Sequence, residues 1–118
     1  GSPAEILDFV EKINDDHFQI CLDTGHVAVY ENENLADAVR LFGKRMKVMH
    51  VHDNNGIMDQ HLLPYLGVIN WEEFGAALKE IEYDGVFSYE TGFHKKLPDP
   101  FYEEACRMLH DIAVNLLK

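Results

Sequence analysis

The fold of this chain is decided by the apolar stretch Phe18-Gln19-Ile20-Cys21-Leu22, which runs directly into Asp23-Thr24-Gly25. A short run that is almost free of polar residues is typical of a parallel strand buried on both faces. Two more runs of this kind follow, Met46-Lys47-Val48-Met49-His50-Val51-His52 and Val86-Phe87-Ser88-Tyr89-Glu90. The sequence therefore predicts three strands, and each of them ends in a polar side chain.

Segments with helical periodicity flank these strands. Apolar residues spaced three and four apart predict four helices, and Ser2-Pro3-Ala4-Glu5 has the form of a capping box at the start of the first. The expected apolar stripes are Ile6, Phe9, Val10 and Ile13; Leu35, Ala38, Val39 and Phe42; Trp71, Phe74, Leu78 and Ile81; and Phe101, Ala105, Met108, Ile112 and Leu116. The order α-β-α-β-α-β-α predicts an α/β fold with right-handed crossovers and a parallel sheet.

Two features of this arrangement point beyond an ordinary small domain. Three parallel strands leave both sheet edges open, and the chain begins on a helix, so we interpret it as part of a larger fold. The Asn-, Asp- and Gly-rich residues 53–67 predict one long loop, and loops of this length in compact domains are usually functional.

Composition narrows the class of protein. The chain has 118 residues, suited to one domain, and 10 Lys+Arg against 21 Asp+Glu give a net charge of −11. This balance argues against a broad nucleic-acid or anionic-membrane surface, and no apolar run approaches the roughly 18 residues of a membrane span. Two cysteines, Cys21 and Cys106, are too few for a disulfide framework and are expected to be buried thiols in a reducing cytoplasm.

The polar residues that end the strands form the first candidate site. Asp23, His52 and Glu90 are expected to converge, because active sites of parallel α/β folds lie at the carboxyl ends of the strands. Side chains alternate along a strand, so His50 shares a face with His52 and lies about 6–7 Å deeper. One imidazole and two carboxylates suit a divalent cation such as Mn²⁺, Mg²⁺, Co²⁺ or Zn²⁺.

Other titratable residues near these strand ends are weaker candidates. His26 follows Asp23 by three residues, and the intervening Gly25 allows a tight turn that brings both side chains to one pocket. Asp59 and His61 form a second carboxylate–imidazole pair within the long loop. The remaining histidines are expected to be structural: His17, His94 and His110.

The motifs resemble the C-terminal part of the xylose isomerase-like TIM-barrel superfamily, which joins sugar and sugar-phosphate isomerases and epimerases with type-2 AP endonucleases. The resemblance runs from about Phe18 to Glu90. It rests on Leu22-Asp23-Thr24-Gly25-His26, His50-Val51-His52-Asp53-Asn54-Asn55-Gly56, Asp59-Gln60-His61-Leu62-Leu63-Pro64, Gly67-Val68-Ile69-Asn70-Trp71 and Tyr83-Asp84-Gly85 up to Glu90. A whole barrel needs about 250 residues, so residues 1–118 are expected to form a partial TIM-barrel domain of three parallel strands and four helices.

The resemblance also implies roles for individual residues. It implies a metal held by Asp23, His52 and Glu90, with His50 left open as an alternative nitrogen ligand. Glu90 and His26 are the implied catalytic groups, and His26, His50 and His61 the implied substrate contacts. The family's fourth ligand, a Glu on an earlier strand, is expected to be absent because no candidate strand precedes Phe18.

Three functions follow as expectations. The first is a metal-dependent sugar or sugar-phosphate isomerase or epimerase that transfers a proton through an enediolate. The second is an AP endonuclease-like phosphodiesterase, since Asp59-Gln60-His61 resembles the pair that holds an extra zinc in those enzymes, although the charge of −11 disfavours it. The third is a catalytically inactive fragment that self-associates or docks to the missing part of its barrel.

Overall fold

The computed structural model describes residues 1–31, 34–93 and 96–118, so His94 lies outside the described part. Three strands alternate with four helices of eight residues or more, as predicted. The elements are α1 (Pro3–Ile13), β1 (Ile20–Asp23), α2 (Thr24–His26) with a π-helical continuation (Val27–Glu31), α3 (Leu35–Phe42) with a 3-10 turn (Gly43–Arg45), β2 (Met46–Val51), α4 (Trp71–Glu80), β3 (Val86–Tyr89) and α5 (Asp99–Leu117). The extra short helix, α2, was not predicted, because its three residues are too few for any periodicity.

The strands form one parallel sheet in the order β1-β2-β3. Asp23 at the end of β1 pairs in register with His50 of β2, and His50 pairs with Ser88 of β3. Glu90 follows β3 directly and donates its backbone N–H to the Val51 carbonyl oxygen at 3.1 Å. This register aligns the polar ends of all three strands at one edge of the sheet.

Only one face of the sheet is buried, which corrects the expectation of strands buried on both faces. Ile20 and Leu22 of β1 and Met49 of β2 are at most 4% exposed and belong to the core beneath α3 and α4. Cys21, which alternates with Ile20 and Leu22, points to the other face and is exposed, so it is not the expected buried thiol. Cys106 is exposed as well, because it lines an open cavity beside Tyr89 and Glu90.

The helices α1 and α5 bury fewer residues than their apolar stripes predict. The capping box of α1 is present, with Ser2 and Glu5 bonded reciprocally, yet Phe9 is 59% exposed and only Val10 of the predicted stripe is buried. Phe101 and Met108 of α5 are also exposed, whereas Leu116 is buried as predicted and Leu109, outside the predicted stripe, is buried as well. The reason is that α1 contacts α3, and α5 contacts α4, along a single side.

The predicted long loop is confirmed between β2 and α4, where residues 52–70 contain no helix or regular strand. A single antiparallel bridge joins Asp53 to Leu62 within it. None of the described helices is both long and apolar enough to cross a membrane.

Candidate metal and active site

Three side chains from the three strands meet at the carboxyl edge of the sheet. Nδ1 of His50 lies 3.8 Å from Oδ2 of Asp23 and 3.6 Å from Oε2 of Glu90. The parallel register causes this convergence, because Asp23 and His50 are direct partners and Glu90 follows the strand on the far side of β2. His50 and Glu90 are both about half exposed, so the group faces open space.

His52 reaches the same carboxylates from a buried position. Its Nε2 donates to Oδ1 of Asp23 at 3.0 Å and lies 4.0 Å from Oε2 of Glu90, while the side chain is 0% exposed. Thr24 holds the backbone of His52 twice: its hydroxyl donates to the His52 carbonyl oxygen at 2.7 Å and accepts from the His52 N–H at 3.0 Å. A Cβ on Gly25 would lie 2.0 Å from Cε1 of His52, so only glycine leaves room for this ring.

A second group of side chains centres on Asp59 of the long loop. Its Oδ2 accepts from Nε2 of His26 and from Nε2 of His61, each at 3.2 Å. His61 donates from Nδ1 to the backbone carbonyl oxygen of Glu90 at 2.6 Å, so its ring links the loop to the end of β3. These bonds connect α2, the loop and β3 around one carboxylate.

Two buried polar atoms between the groups have no hydrogen-bond partner. They are Nδ1 of His52 and Oδ1 of Asp59, which lie 3.6 Å apart. A buried polar atom without a partner carries a desolvation penalty, and a catalytic role or a bound ion is among the reasons that offset it. The unpaired atoms therefore mark the space between His52 and Asp59 as part of the site.

The electrostatics of the site favour a cation. Burial opposes the charged form of Asp23, but hydrogen bonds from His52 and from the His26 backbone N–H outweigh it and lower the pKa of this carboxyl. Partial burial of the Cys21 thiol, followed by the charges of Asp23 and Glu90, raises the pKa of that thiol. Partial burial disfavours the charged form of His61, yet the Glu90 carbonyl and Asp59 outweigh this effect and raise its pKa.

Two overlapping sets of potential ligands share Glu90. Asp23, His50 and Glu90 form one set and His52, His61 and Glu90 the other, and within each set the ligand atoms lie within 4.8 Å of one another. Ligands of one metal ion stand about 3.0–3.5 Å apart when metal–ligand bonds are about 2.0–2.2 Å long. The mixed nitrogen and oxygen donors, already near this spacing, fit a divalent cation.

All the residues singled out from the sequence lie in this one region. They are Asp23, His26, His50, His52, His61 and Glu90. Sequence reasoning gave too little weight to Asp59, which contacts three of these histidines. The available signal was its position two residues before His61, but the sequence alone does not show where a loop folds.

A comparison with models of protein families identifies the family of this chain. Residues 1–112 match the family described as the xylose isomerase-like TIM barrel. The chain belongs to this family. Among curated relatives in the xylose isomerase-like family, the D-psicose 3-epimerase of Enterocloster bolteae is 40% identical over 81 residues, which are 69% of this chain and 25% of that protein.

Similar solved structures confirm the fold. The chain superimposes on the D-psicose 3-epimerase of Clostridium cellulolyticum H10, solved with D-tagatose, with a TM-score of 0.80 at 20% identity, covering 99% of this chain and 44% of that one. It also superimposes on an IOLI protein solved with a zinc atom. The TM-score is 0.75 at 22% identity, and the match covers 98% of this chain and 43% of that one. The chain thus spans about a quarter of the length of the first curated relative and less than half of the solved chains.

Proposed function

We propose that this chain carries the metal-binding and proton-transfer groups of a sugar epimerase or isomerase that acts on ketoses. The observation that carries the proposal is the meeting of Asp23, His50 and Glu90 at the ends of three adjacent parallel strands. The related D-psicose 3-epimerases supply the reaction class, and two of the solved relatives contain D-fructose and D-tagatose. The two free cysteines suit a reducing compartment such as the cytoplasm.

Asp23 and Glu90 would supply the oxygen ligands of the metal, and His50 fits best as the nitrogen ligand. Nδ1 of His50 faces both carboxylates at 3.6–3.8 Å. His52, the ligand favoured by the sequence, is 0% exposed and donates to Asp23 from the buried side of the site, which fits a residue that orients this carboxylate. His52 as the ligand remains the competing prediction.

The chemistry assigned to these residues is movement of a proton at the carbon next to a ketose carbonyl. A bound divalent metal supplies positive charge that stabilises negative charge on the sugar oxygens. The carboxylate of Glu90 accepts the proton as the C–H bond breaks, and the electron pair of that bond moves toward the carbonyl oxygen. A second carboxylic acid, the role that the family resemblance gives to a Glu on an earlier strand, would return a proton to the opposite face of the carbon, which inverts its configuration and completes an epimerisation.

His26 and His61 are assigned to the sugar hydroxyls. Both donate to Asp59 from Nε2, and His26 is about half exposed beside Asp23, at 3.7 Å from Nδ1 to Oδ2. Because Nδ1 of His61 is bonded to the Glu90 carbonyl oxygen, a sugar hydroxyl would bind these imidazoles by replacing Asp59 at Nε2.

The proposal is tested in two steps. Calorimetric titration of the chain with Mn²⁺, Co²⁺ and Zn²⁺ should show one divalent site, and Glu90→Gln should lower its affinity at least tenfold, because one charged ligand is lost. Glu11→Gln, which removes an exposed carboxylate from the last turn of α1, is the matched control. The proposal fails if both variants bind metal as the unaltered chain does.

The second step measures chemistry directly. A longer protein containing this chain, incubated with D-fructose or D-tagatose in D₂O, should place deuterium on the carbon next to the carbonyl, and Glu90→Gln should remove this exchange. Exchange that survives within tenfold in Glu90→Gln would overturn the role of this carboxylate.

A metal-dependent phosphodiesterase of the AP endonuclease type is the second candidate. This candidate is favoured by the arrangement of His26, Asp59 and His61, which could hold a further cation. Both Nε2 atoms lie 3.2 Å from one carboxylate oxygen of Asp59. The net charge of −11 disfavours it, because an acidic surface repels the DNA backbone. Nicking of abasic-site DNA by the longer protein in zinc, without turnover of ketoses, would support this candidate over the epimerase.

A further inference from the structure

Asp53 is a buried carboxylate that four N–H groups surround. The side chain is 0% exposed. Its Oδ1 accepts from the backbone N–H groups of Asn54 at 2.8 Å and Ile69 at 3.3 Å, and its Oδ2 accepts from the Gly67 N–H at 3.0 Å and from the indole Nε1 of Trp71 at 2.8 Å. A buried carboxylate is costly unless it is fully hydrogen-bonded, and here each oxygen has two donors.

These bonds close the long loop at its base. Asp53 opens the loop, whereas Gly67 and Ile69 lie at its far end, so one carboxylate joins both ends. The backbone of Asp53 also exchanges two 2.8 Å hydrogen bonds with Leu62 in the middle of the loop. A Cβ on Gly67 would lie 2.1 Å from the Asn54 carbonyl oxygen, so the two ends touch without space for a side chain.

The same closure connects the loop to the site. The Asn54 side chain donates to the Gly25 carbonyl oxygen at 2.8 Å, beside the ring of His52. Asp59 and His61 lie within the closed loop, between Asp53 and Gly67. Their contacts with His26 and His52 therefore depend on how the base of the loop is held.

We propose that Asp53 is a positioning residue, which holds Asp59 and His61 at the metal and substrate site by closing the base of the loop. Its functional consequence rests on the proposed function, whereas its effect on the loop does not. The four hydrogen bonds of the Asp53 side chain all go to residues that are not potential metal ligands, so it acts on the site through the loop.

The substitution Asp53→Asn isolates this role. Asparagine has nearly the same shape but only one acceptor oxygen, and its NH₂ group would face two N–H donors at the other position. At least two of the four bonds are then lost and their donors stay buried without partners, which loosens the loop base. Asp16→Asn, which removes an exposed carboxylate from the turn after α1, is the matched control.

The effect of Asp53 on the conformation of the loop can be measured without any metal. Trp71 is the only tryptophan, so its indole N–H gives a single proton signal that reports the bond to Asp53 directly. In Asp53→Asn we expect this signal to move upfield, and the amide exchange of Leu62, Gly67 and Ile69 to accelerate by about tenfold or more, with exchange in α3 and β2 unchanged. If Asp53→Asn does not fold, Trp71→Phe, which removes one donor, is measured by amide exchange instead.

Measurements of metal affinity then distinguish a positioning role of Asp53 from a general effect on the stability of the protein. Asp53→Asn should weaken divalent binding by about tenfold, Asp59→Asn should also weaken it, and the double variant should bind no more weakly than Asp59→Asn. Additive losses would overturn the proposal, as would loop amides that stay fully protected in folded Asp53→Asn. An unaltered chain that binds no metal would reject the proposed function, while the amide exchange still decides whether Asp53 closes the loop.

Discussion

The imidazole rings of His52 and His61 lie face to face, with centroids 4.1 Å apart and planes inclined by only 5°. One ring belongs to a residue at the end of β2 and the other to the loop that follows. The hydrogen bond from His61 to the Glu90 carbonyl oxygen keeps the stacked ring in place. The stack therefore covers His52 from the side that the sheet leaves open.

Removal of the stacked ring should weaken the site. His61→Ala should lower divalent-metal affinity by about 10–100-fold, because the ring that orients His52 and a potential ligand nitrogen are both lost. His61→Phe keeps the stacking but not the nitrogens, so the difference between the two variants, measured by calorimetry, gives the contribution of the ring alone. Equal affinity in all three proteins would contradict a role for this residue.

His50 and His52 can be distinguished as ligands. His50→Ala should abolish measurable divalent binding, whereas His52→Ala should weaken it by about 10–100-fold, as expected for a residue that orients Asp23. The Co²⁺ absorption spectrum of each variant checks the assignment, because loss of a nitrogen ligand changes the visible bands and loss of a supporting residue changes chiefly the affinity. The reverse pattern would establish His52 as the nitrogen ligand.

Gly25→Ala tests the close approach of α2 to His52. The added methyl group would overlap the imidazole, so we expect a loss of about 1–3 kcal/mol in the free energy of unfolding together with weaker metal binding. Gly92→Ala is the matched control, since nothing lies within 4 Å of a Cβ at that position. Thermal unfolding and metal titration of the two variants, measured side by side, should differ clearly.

The ion pair between α3 and α4 predicts a pH dependence of stability. Arg40 donates to Glu80 from Nε at 2.6 Å and from Nη2 at 3.2 Å, and the hydrogen bond to the guanidinium lowers the pKa of the Glu80 carboxyl. A carboxyl with a lowered folded pKa stabilises the protein above its ordinary pKa of 4.5, and this contribution is lost as the pH falls through the folded value.

Glu80→Gln should therefore have a slightly lower Tm than the unaltered protein at neutral pH, and the difference should disappear at about pH 3. The effect is small because both side chains are partly exposed. A constant difference in Tm across this pH range would mean that the ion pair does not couple to folding.

The uncovered sheet face and the outer helices predict self-association of this chain. Val86 is 58% exposed on the sheet, and Phe9 and Phe101 are about 60% exposed on α1 and α5. Apolar surfaces of this kind associate in water, and the β1 and β3 edges have no partner strand among the described residues. Sedimentation velocity should show dimers or larger species at micromolar concentrations. A stable monomer, unchanged by dilution, would contradict this prediction.

The sequence by itself determined the strands and their polar ends. The apolar runs and the side-chain alternation along β2 are local properties, and they predicted three parallel strands with Asp23, His52 and Glu90 at their carboxyl ends. They placed His50 too deep, because its Nδ1 lies 3.8 Å from Asp23 and 3.6 Å from Glu90. The capping box of Ser2 and Glu5 is equally local and is present as predicted.

Only the tertiary structure decided the arrangement of the long loop. Residues 52–70 have no periodicity, so nothing local predicts that Asp59 lies against His26, 33 residues away in the sequence, or that Asp53 binds the indole of Trp71. The exposure of side chains also depends on the tertiary structure. Alternation assigns Cys21 to one face of the sheet, but whether that face is covered depends on which elements pack against it. Contacts between distant segments and the burial they create belong to the folded chain as a whole, whereas periodicity is a property of each segment.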